Sequence, residues 1–258
     1  EFAVKDQLVG SSLDGAVTCG KLIQKDDPAA FRIAGGSGRN LPGGIGYDPG
    51  SHGSGLPCCA GRTGGNGMKK KVLFVGTVLQ GHMLLFHLPC MQWFQQQGYE
   101  VHLACHNDTD HEVTEVPFCD QYFNLPFARS PFNTRNIGVY RQLKQLINEH
   151  EYALIHCHTP VGSILGRLSA RKARKKGTRV VYSAHGFHFF KGAPLKNWLL
   201  FYPVEWLAAH WTDLLITTNE EDAQRAQRLP AKKKVKVNGV GVDLTRFDPP
   251  TDRREARD

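Results

Sequence analysis

The sequence has no long apolar run: none approaches the ~20 uncharged residues needed to cross a bilayer, so no transmembrane helix is predicted. The first residues, Glu1 to Asp6, also lack the basic and then apolar segments that are typical of a secretory signal. A cysteine pairing pattern is also absent, since the seven cysteines are odd in number and scattered, which favours free thiols in a reducing compartment. Together these absences predict a cytoplasmic chain.

Acidic residues are fewer than basic ones: 24 Asp and Glu stand against 32 Lys and Arg, for a formal charge of +8. Six positive charges fall within residues 171–179 and four within 232–236. These runs have two interpretations, the solvated end of a helix or a peripheral contact with an anionic inner membrane face. No nucleic-acid-binding motif accompanies the charge, so nucleic acid is not a predicted partner.

Glycine is unevenly distributed, because residues 1–67 hold 16 of the 27 glycines. Glycine loses the most backbone entropy on ordering and adds no side chain to a core, so we expect 1–67 to be a disordered extension. Met68, followed by three lysines and an apolar run, is typical of the start of a domain. The alternative is that 1–67 is a natural flexible arm.

From Met68 to residue 247, short apolar runs alternate with segments of helical spacing. This alternation predicts an α/β domain with a single Rossmann-like, doubly wound parallel sheet. Ligands then belong at the carboxyl ends of the strands. We expect strands over 72–75, 101–104, 153–156, 180–182, 214–217 and 235–237, helices over 82–97 (with a kink at Pro89), 137–149, 161–176, 195–210 and 219–228, and an irregular stretch between 104 and 137.

The first predicted strand runs into a turn that carries Gly76, Thr77, Gly81 and His82. Glycine allows close approach of a ligand, and the following helix offers free N–H groups at its start. The spacing matches neither a P-loop nor a dinucleotide fingerprint. A tight strand-to-helix turn without a ligand is the alternative.

The third predicted strand ends in a histidine-rich turn. His156 and His158 share one face of an extended chain, and Thr159 precedes Pro160, which suits the first turn of a helix. The turn either contacts a ligand or is a capped loop with one packed histidine. A zinc site needs further ligands that this segment does not supply, so no metal site is predicted.

His185 and Gly186 follow the fourth predicted strand, where a side chain faces the ligand crevice. His185 is therefore the strongest single candidate for a functional residue, and a structural histidine is the alternative. A last loop, with Asn238, Gly239 and Asp243, leaves the final strand. The alternative is that this loop is a turn that leads out of the domain and has no functional role.

Six segments in this order along the chain carry a resemblance to a known family: 71–76, 97–101, 155–160, 182–187, 212–216 and 239–243. Through them, residues 69–247 resemble the N-terminal domain of family 4 glycosyltransferases of the GT-B fold, the subgroup found in bacterial polysaccharide assembly. That family implies two Rossmann-like domains across a cleft, with the acceptor mainly on the first and the nucleotide-sugar mainly on the second. The partners implied are a nucleotide-sugar, as co-substrate and not cofactor, and a saccharide or lipid-linked acceptor.

The resemblance also assigns residues. It places His185 against the transferred sugar, the turn from Gly76 to His82 near the acceptor and donor phosphates, and the loop from Asn238 to Asp243 beside the hinge. His158, Thr159 and Gly186 are the further candidates for substrate contact. No metal is implied.

The family's second domain carries a Glu-x7-Glu motif, and no two glutamates here are eight apart. Residues 248–258 look like the start of a truncated linker, so we expect half of an enzyme that is inactive alone. The alternatives are a non-catalytic acceptor-binding subunit of a split transferase and a metal-dependent hydrolase that uses His156, His158 and His185.

Overall fold

The computed structural model describes residues 69–239. Four predicted features lie outside the described residues: the extension 1–67, Met68 as a domain start, Asp243 in the last loop, and the linker 248–258.

Seven strands form one sheet in which all neighbouring pairs are parallel. They are β1 (Lys71–Val78), β2 (Glu100–His106), β3 (Gln121–Asn124), β4 (Leu154–Cys157), β5 (Arg179–Ala184), β6 (Leu214–Thr217) and β7 (Lys233–Lys236). Their order in the sheet is β3-β2-β1-β4-β5-β6-β7. The predicted Rossmann-like, doubly wound parallel sheet is confirmed, and the order reverses direction between β1 and β4, where such sheets open a crevice.

Six α-helices of five or more residues connect the strands in the described part of the chain. They are α1 (Leu88–Gln96), α2 (Arg135–His150), α3 (Pro160–Ser169), α4 (Arg171–Lys175), α5 (Leu195–Ala209) and α6 (Glu220–Ala226). The described residues include no helix that is both long and apolar enough to span a membrane.

The core lies on both faces of the sheet, and β1 shows why. Leu73 and Val75 belong to the buried cluster on the α2 face, whereas Val72 and Phe74 belong to the cluster on the α1 face. A strand that is covered on both faces has a continuous apolar sequence, and such a run predicted β1.

Two predictions of secondary structure were wrong. The stretch between β2 and α2, expected to be irregular, contains the edge strand β3, whose residues are only half-buried or exposed. The expected helix over 82–97 is instead a π-helical turn, Leu79–Met83, then a short turn, Leu84–Phe86, a break at His87, and α1. Pro89 lies in the first turn of α1, where its missing N–H group is tolerated, and so the break precedes it.

Candidate functional site

The carboxyl ends of β1 and β4 are joined by two threonine side chains at the reversal of strand order. Thr77 Oγ1 and Thr159 Oγ1 lie 2.6 Å apart, and Thr159 Oγ1 donates to the His158 carbonyl oxygen at 2.6 Å. Thr159 Oγ1 therefore accepts from Thr77, both from its hydroxyl and from its N–H group at 3.1 Å. Gly162 N–H donates to Thr77 Oγ1 at 3.3 Å, so one chain of hydrogen bonds ties both strand ends to α3.

The backbone at this point is tightly packed and strained. Thr159 has φ of 59° and ψ of 152°, a conformation that a β-branched residue adopts rarely and that often marks a functional position. A Cβ atom on Gly76 would lie 2.5 Å from Met83 Sδ. A Cβ atom on Gly162 would lie 3.0 Å from the carbonyl carbon of Gly76. Neither position has room for a side chain, because Gly76 packs against the Met83 side chain and Gly162 against the backbone of Gly76.

Two of the N–H groups that the sequence predicted to be free at the turn after β1 already have a partner. Gln80 N–H donates to Asp108 Oδ1 at 2.7 Å, and Gly81 N–H donates to Asp108 Oδ2 at 3.2 Å. Arg129 lies 3.7 Å from the same carboxylate. Asp108 is therefore the acceptor for both N–H groups in this structure.

A cavity of about 640 Å³ opens at the switch point between β1 and β4. It brings together five residues predicted from the sequence, namely Thr77, Gly81, His82, Thr159 and Gly186. The rest of its lining is mainly apolar and comes from α3, α5, and the loops that precede α2 and follow β5, with Val161, Phe132, Phe187, Leu200 and Val204 among its members.

Four histidines meet beside this cavity: His82, which lines it, and His87, His158 and His185, which do not. One ligand-type atom from each lies within 4.8 Å of every other, and the Nε2 atoms of His82 and His87 are 3.1 Å apart. Burial lowers the pKa of all four, most strongly at His87 and His158, and lowers that of His82 to about 4. All four imidazoles are therefore neutral near pH 7.

The predicted shared face of His156 and His158 is confirmed, with ring centroids 4.1 Å apart. His156, however, is a core residue: its Nε2 pairs with Ser183 Oγ at 2.9 Å, and burial lowers its pKa to about 3. It does not belong to the cluster of four histidines. Sequence analysis predicted no metal-binding group because His156 and His158 had no third partner, and the structure supplies partners for His158 from the 82–87 segment.

The loop after β5 is anchored by a hydrogen bond to α6. Asp222, buried in α6, accepts a hydrogen bond from Phe187 N–H at 3.3 Å. Asn219 caps α6 by accepting from Asp222 N–H at 2.8 Å, and its side-chain amide donates to the Asp222 carboxylate at 2.7 Å. Gly186 precedes this anchor with φ of 151°. The adjacent His185 is thereby fixed at the carboxyl edge of the sheet.

A buried ion pair supports the cavity beneath α5. Arg167 donates from both terminal nitrogens to the Glu205 carboxylate, at 2.6 and 3.0 Å, and its guanidinium lies 4.2 Å from the centre of the Tyr182 ring. Burial lowers the pKa of Arg167, but the adjacent Glu205 charge outweighs it and raises the pKa above the usual value. Glu205 and Tyr182 both line the cavity, so this pair shapes its wall.

Asn238 and Gly239 are exposed at the far edge of the sheet, after β7. Gly239 has φ of 72° and its N–H group donates to Thr218 O. Neither residue lines the switch-point cavity, and their predicted role beside a hinge stays a prediction.

The first basic run lies at the amino edge of the sheet, opposite the cavity, because 171–178 immediately precedes β5, whereas the second run lies mostly within the strand β7. Several of their charges have partners within the fold. Asp213 accepts from Arg174 at 2.8 Å and from Val180 N–H at 3.0 Å, and pairs with Lys232 at 3.0 Å. The guanidinium of Arg171 lies over the Trp211 ring.

Sequence reasoning did not identify His87, Asp108, Arg167 or Glu205. Glu205 carried a signal, since it is the one acidic residue in the apolar segment 195–210. His87 carried none: residues five apart on a regular α-helix point about 140° apart, and only the π-helical turn and the break at His87 bring it beside His82.

The parallel sheet with its cavity at the switch point defines an α/β lobe of the Rossmann-like class, in which ligands belong at the carboxyl edge. A family model described as Glycosyl transferase 4-like matches residues 71–219. The chain belongs to this family, which confirms the resemblance drawn from its motifs.

Two curated relatives each match part of the chain. EpsD of Bacillus subtilis (strain 168), named as a glycosyltransferase, is 54% identical over 185 residues, which cover 70% of this chain and 47% of that protein. The UDP-Gal:alpha-D-GlcNAc-diphosphoundecaprenol alpha-1,3-galactosyltransferase of Escherichia coli is 29% identical over 136 residues, which cover 50% of this chain and 35% of that protein. The chain thus spans less than half the length of both relatives.

Among solved structures, sucrose-phosphate synthase from Thermosynechococcus elongatus superimposes with a TM-score of 0.54 at 13% identity. The match covers 73% of this chain and 52% of that one. At this identity the likeness shows a shared fold alone.

Proposed function

We propose that residues 69–239 form the acceptor-side lobe of a glycosyltransferase that moves a sugar from a nucleotide-sugar to a lipid-linked saccharide. The observation that carries the proposal is the switch-point cavity, which is polar at Thr77 and Thr159 and apolar along α5. A saccharide alone would call for a wall of polar groups, whereas a saccharide on a lipid diphosphate needs both surfaces. The name of the Escherichia coli relative specifies such an acceptor.

The chemistry of transfer assigns roles to residues at this edge. As the nucleotide leaves, positive charge develops at the anomeric carbon, and the site must hold acceptor and donor in line. For His185, which is neutral and follows the carboxyl end of β5, we propose a hydrogen bond to the transferred sugar. Arg129 is the one Lys or Arg among the described residues that line the cavity, and it is the candidate contact for an acceptor diphosphate.

The test is equilibrium binding of a short-chain prenyl-diphosphate-linked N-acetylglucosamine to the 258-residue chain, measured by calorimetry. We expect Val204→Asp to weaken binding at least tenfold, because Val204 lines the apolar wall. The matched control is Leu207→Asp, since Leu207 is also exposed on α5 but does not line the cavity. Equal affinities for both variants, or binding abolished by an excess of UDP-sugar, would contradict an acceptor site at this cavity.

We further propose that the lobe contacts the inner membrane face through the first half of α5. Leu195 and Leu199 are 73% and 71% exposed there, and this half of α5 starts at the cavity edge because α5 follows the carboxyl end of β5. Sedimentation with neutral and anionic vesicles tests this, with Leu195→Glu/Leu199→Glu expected to abolish binding to both. If the double variant still binds vesicles, and only anionic ones, the membrane contact is made by the basic runs and not by α5.

A further inference from the structure

The four-histidine cluster beside the cavity draws its members from three separate strand ends. His82 lies in the π-helical turn and His87 at the break that follows it, both after β1. His158 follows β4 and His185 follows β5. Side chains from three connections of the sheet thus converge on one point, with their ligand-type atoms all within 4.8 Å of one another.

We propose that His82, His87, His158 and His185 bind a divalent transition-metal ion of the zinc class. Neutral imidazole is a ligand for Zn²⁺, Cu²⁺ and Ni²⁺. Zinc–nitrogen bonds of about 2.0–2.1 Å place two nitrogens of a tetrahedral site about 3.4 Å apart. The 3.1 Å between the Nε2 atoms of His82 and His87 is already close to this spacing, and the remaining pairs need to close by little more than an ångström.

His158 provides a second and independent observation. It is 1% exposed, and both of its ring nitrogens are buried without a hydrogen-bond partner. Buried polar atoms are normally paired, because an unpaired one keeps the full penalty of its lost hydration. A metal ion at the cluster would supply a partner for one of these nitrogens.

The surroundings favour a metal that prefers nitrogen ligands. Within the described residues, the cluster contains histidine only, with no carboxylate, which disfavours Mg²⁺ and Ca²⁺. Phe74 stacks on His158 and Phe86 lies against His82, so apolar rings surround the donors. His185 is the most exposed of the four and leaves a route by which an ion can enter.

The test is titration of the chelator-treated 258-residue chain with Co²⁺, followed by visible absorption, and then competition with Zn²⁺. We expect one Co²⁺ per chain, a tetrahedral ligand-field spectrum that Zn²⁺ removes, and no sulfur-to-cobalt charge-transfer band. The last readout is needed because the sequence also contains Cys58 and Cys59. X-ray absorption of the zinc form should show four nitrogen neighbours at about 2.0–2.1 Å.

Variants locate the ion. His82→Gln and His185→Gln, at the less buried positions, should each weaken Co²⁺ binding by about 100-fold or more, since losing even a residue behind a ligand costs 10–100-fold. The matched control is His111→Gln, an exposed histidine outside the cluster, which should bind as the unaltered chain does. No stoichiometric Co²⁺, a thiolate band, or equal weakening in the control would each overturn the proposal. The assay measures metal and not sugar transfer, so its result is independent of the proposed function.

Discussion

Replacing Glu205 by alanine would leave the guanidinium of Arg167 buried without its counter-ion. The Arg167 side chain has no exposed surface and that of Glu205 is 8% exposed, so the pair is shielded from water. After the substitution Arg167 keeps only its contacts with Ser163, to the carbonyl oxygen and the hydroxyl at 3.1 Å each, and the face of Tyr182. Breaking a buried pair from one side costs about 3–5 kcal/mol.

The structure favours the lower end of that range. Glu205 lines the cavity, so water can enter the space that the carboxylate leaves and partly solvate Arg167. We therefore expect Glu205→Ala to lower the free energy of unfolding by about 3 kcal/mol. Urea titration followed by circular dichroism at a helical wavelength measures this change.

Two further variants complete the experiment. Glu149→Ala, an exposed acid on α2, should have little effect and controls for the loss of a helical glutamate. The double variant Arg167→Met/Glu205→Leu should regain most of the lost stability, because it removes both buried charges at once. A Glu205→Ala chain as stable as the original, or a double variant less stable than the single one, would refute the reasoning.

Three other substitutions test the local packing, each by urea titration. Gly76→Ala should destabilise by about 1–3 kcal/mol, because its Cβ would lie 2.5 Å from the sulfur of buried Met83, whereas Gly138→Ala, with open space around it, should not. Burial raises the pKa of Asp213, but hydrogen bonds from an arginine, a backbone N–H group and a lysine outweigh this and hold it below 3.8. Its stabilisation is therefore present above about pH 4 and lost as the pH falls further, so Asp213→Asn should be less stable at pH 7 and less sensitive to acid. Asn219→Ala should lose about 1 kcal/mol through its helix cap, and an unchanged midpoint would exclude that role.

The central sheet could be predicted because each of its buried strands is a short apolar run between helical segments. The reversal between β1 and β4 follows from the topology, and so does the meeting of Thr77 and Thr159 at one edge. The edge strand β3 was not predicted, for a physical reason. Its side chains are half-buried or exposed, so it does not need a continuous apolar run, and the two apolar residues Tyr122 and Phe123 alone do not indicate a strand.

The candidate site was only partly predictable. Gly76, His158 and His185 stand at strand ends, where position alone identifies them as candidates. The partnership of His82 with His87 depends on a π-helical turn that no spacing rule indicates. The pairing of Arg167 with Glu205 joins two helices 38 residues apart in the chain, and single-sequence patterns carry no information about such contacts.

The most direct test of the acceptor site is photo-crosslinking with a lipid-linked N-acetylglucosamine that bears a diazirine next to its diphosphate. The labelled 258-residue chain is digested and the modified peptides are sequenced by mass spectrometry, with and without an excess of unlabelled ligand. A cavity site at the switch point predicts competed labelling on the segments 129–132 and 200–204, both of which contribute to its lining. Competed labelling confined to the amino edge of the sheet, around α4, would contradict the account.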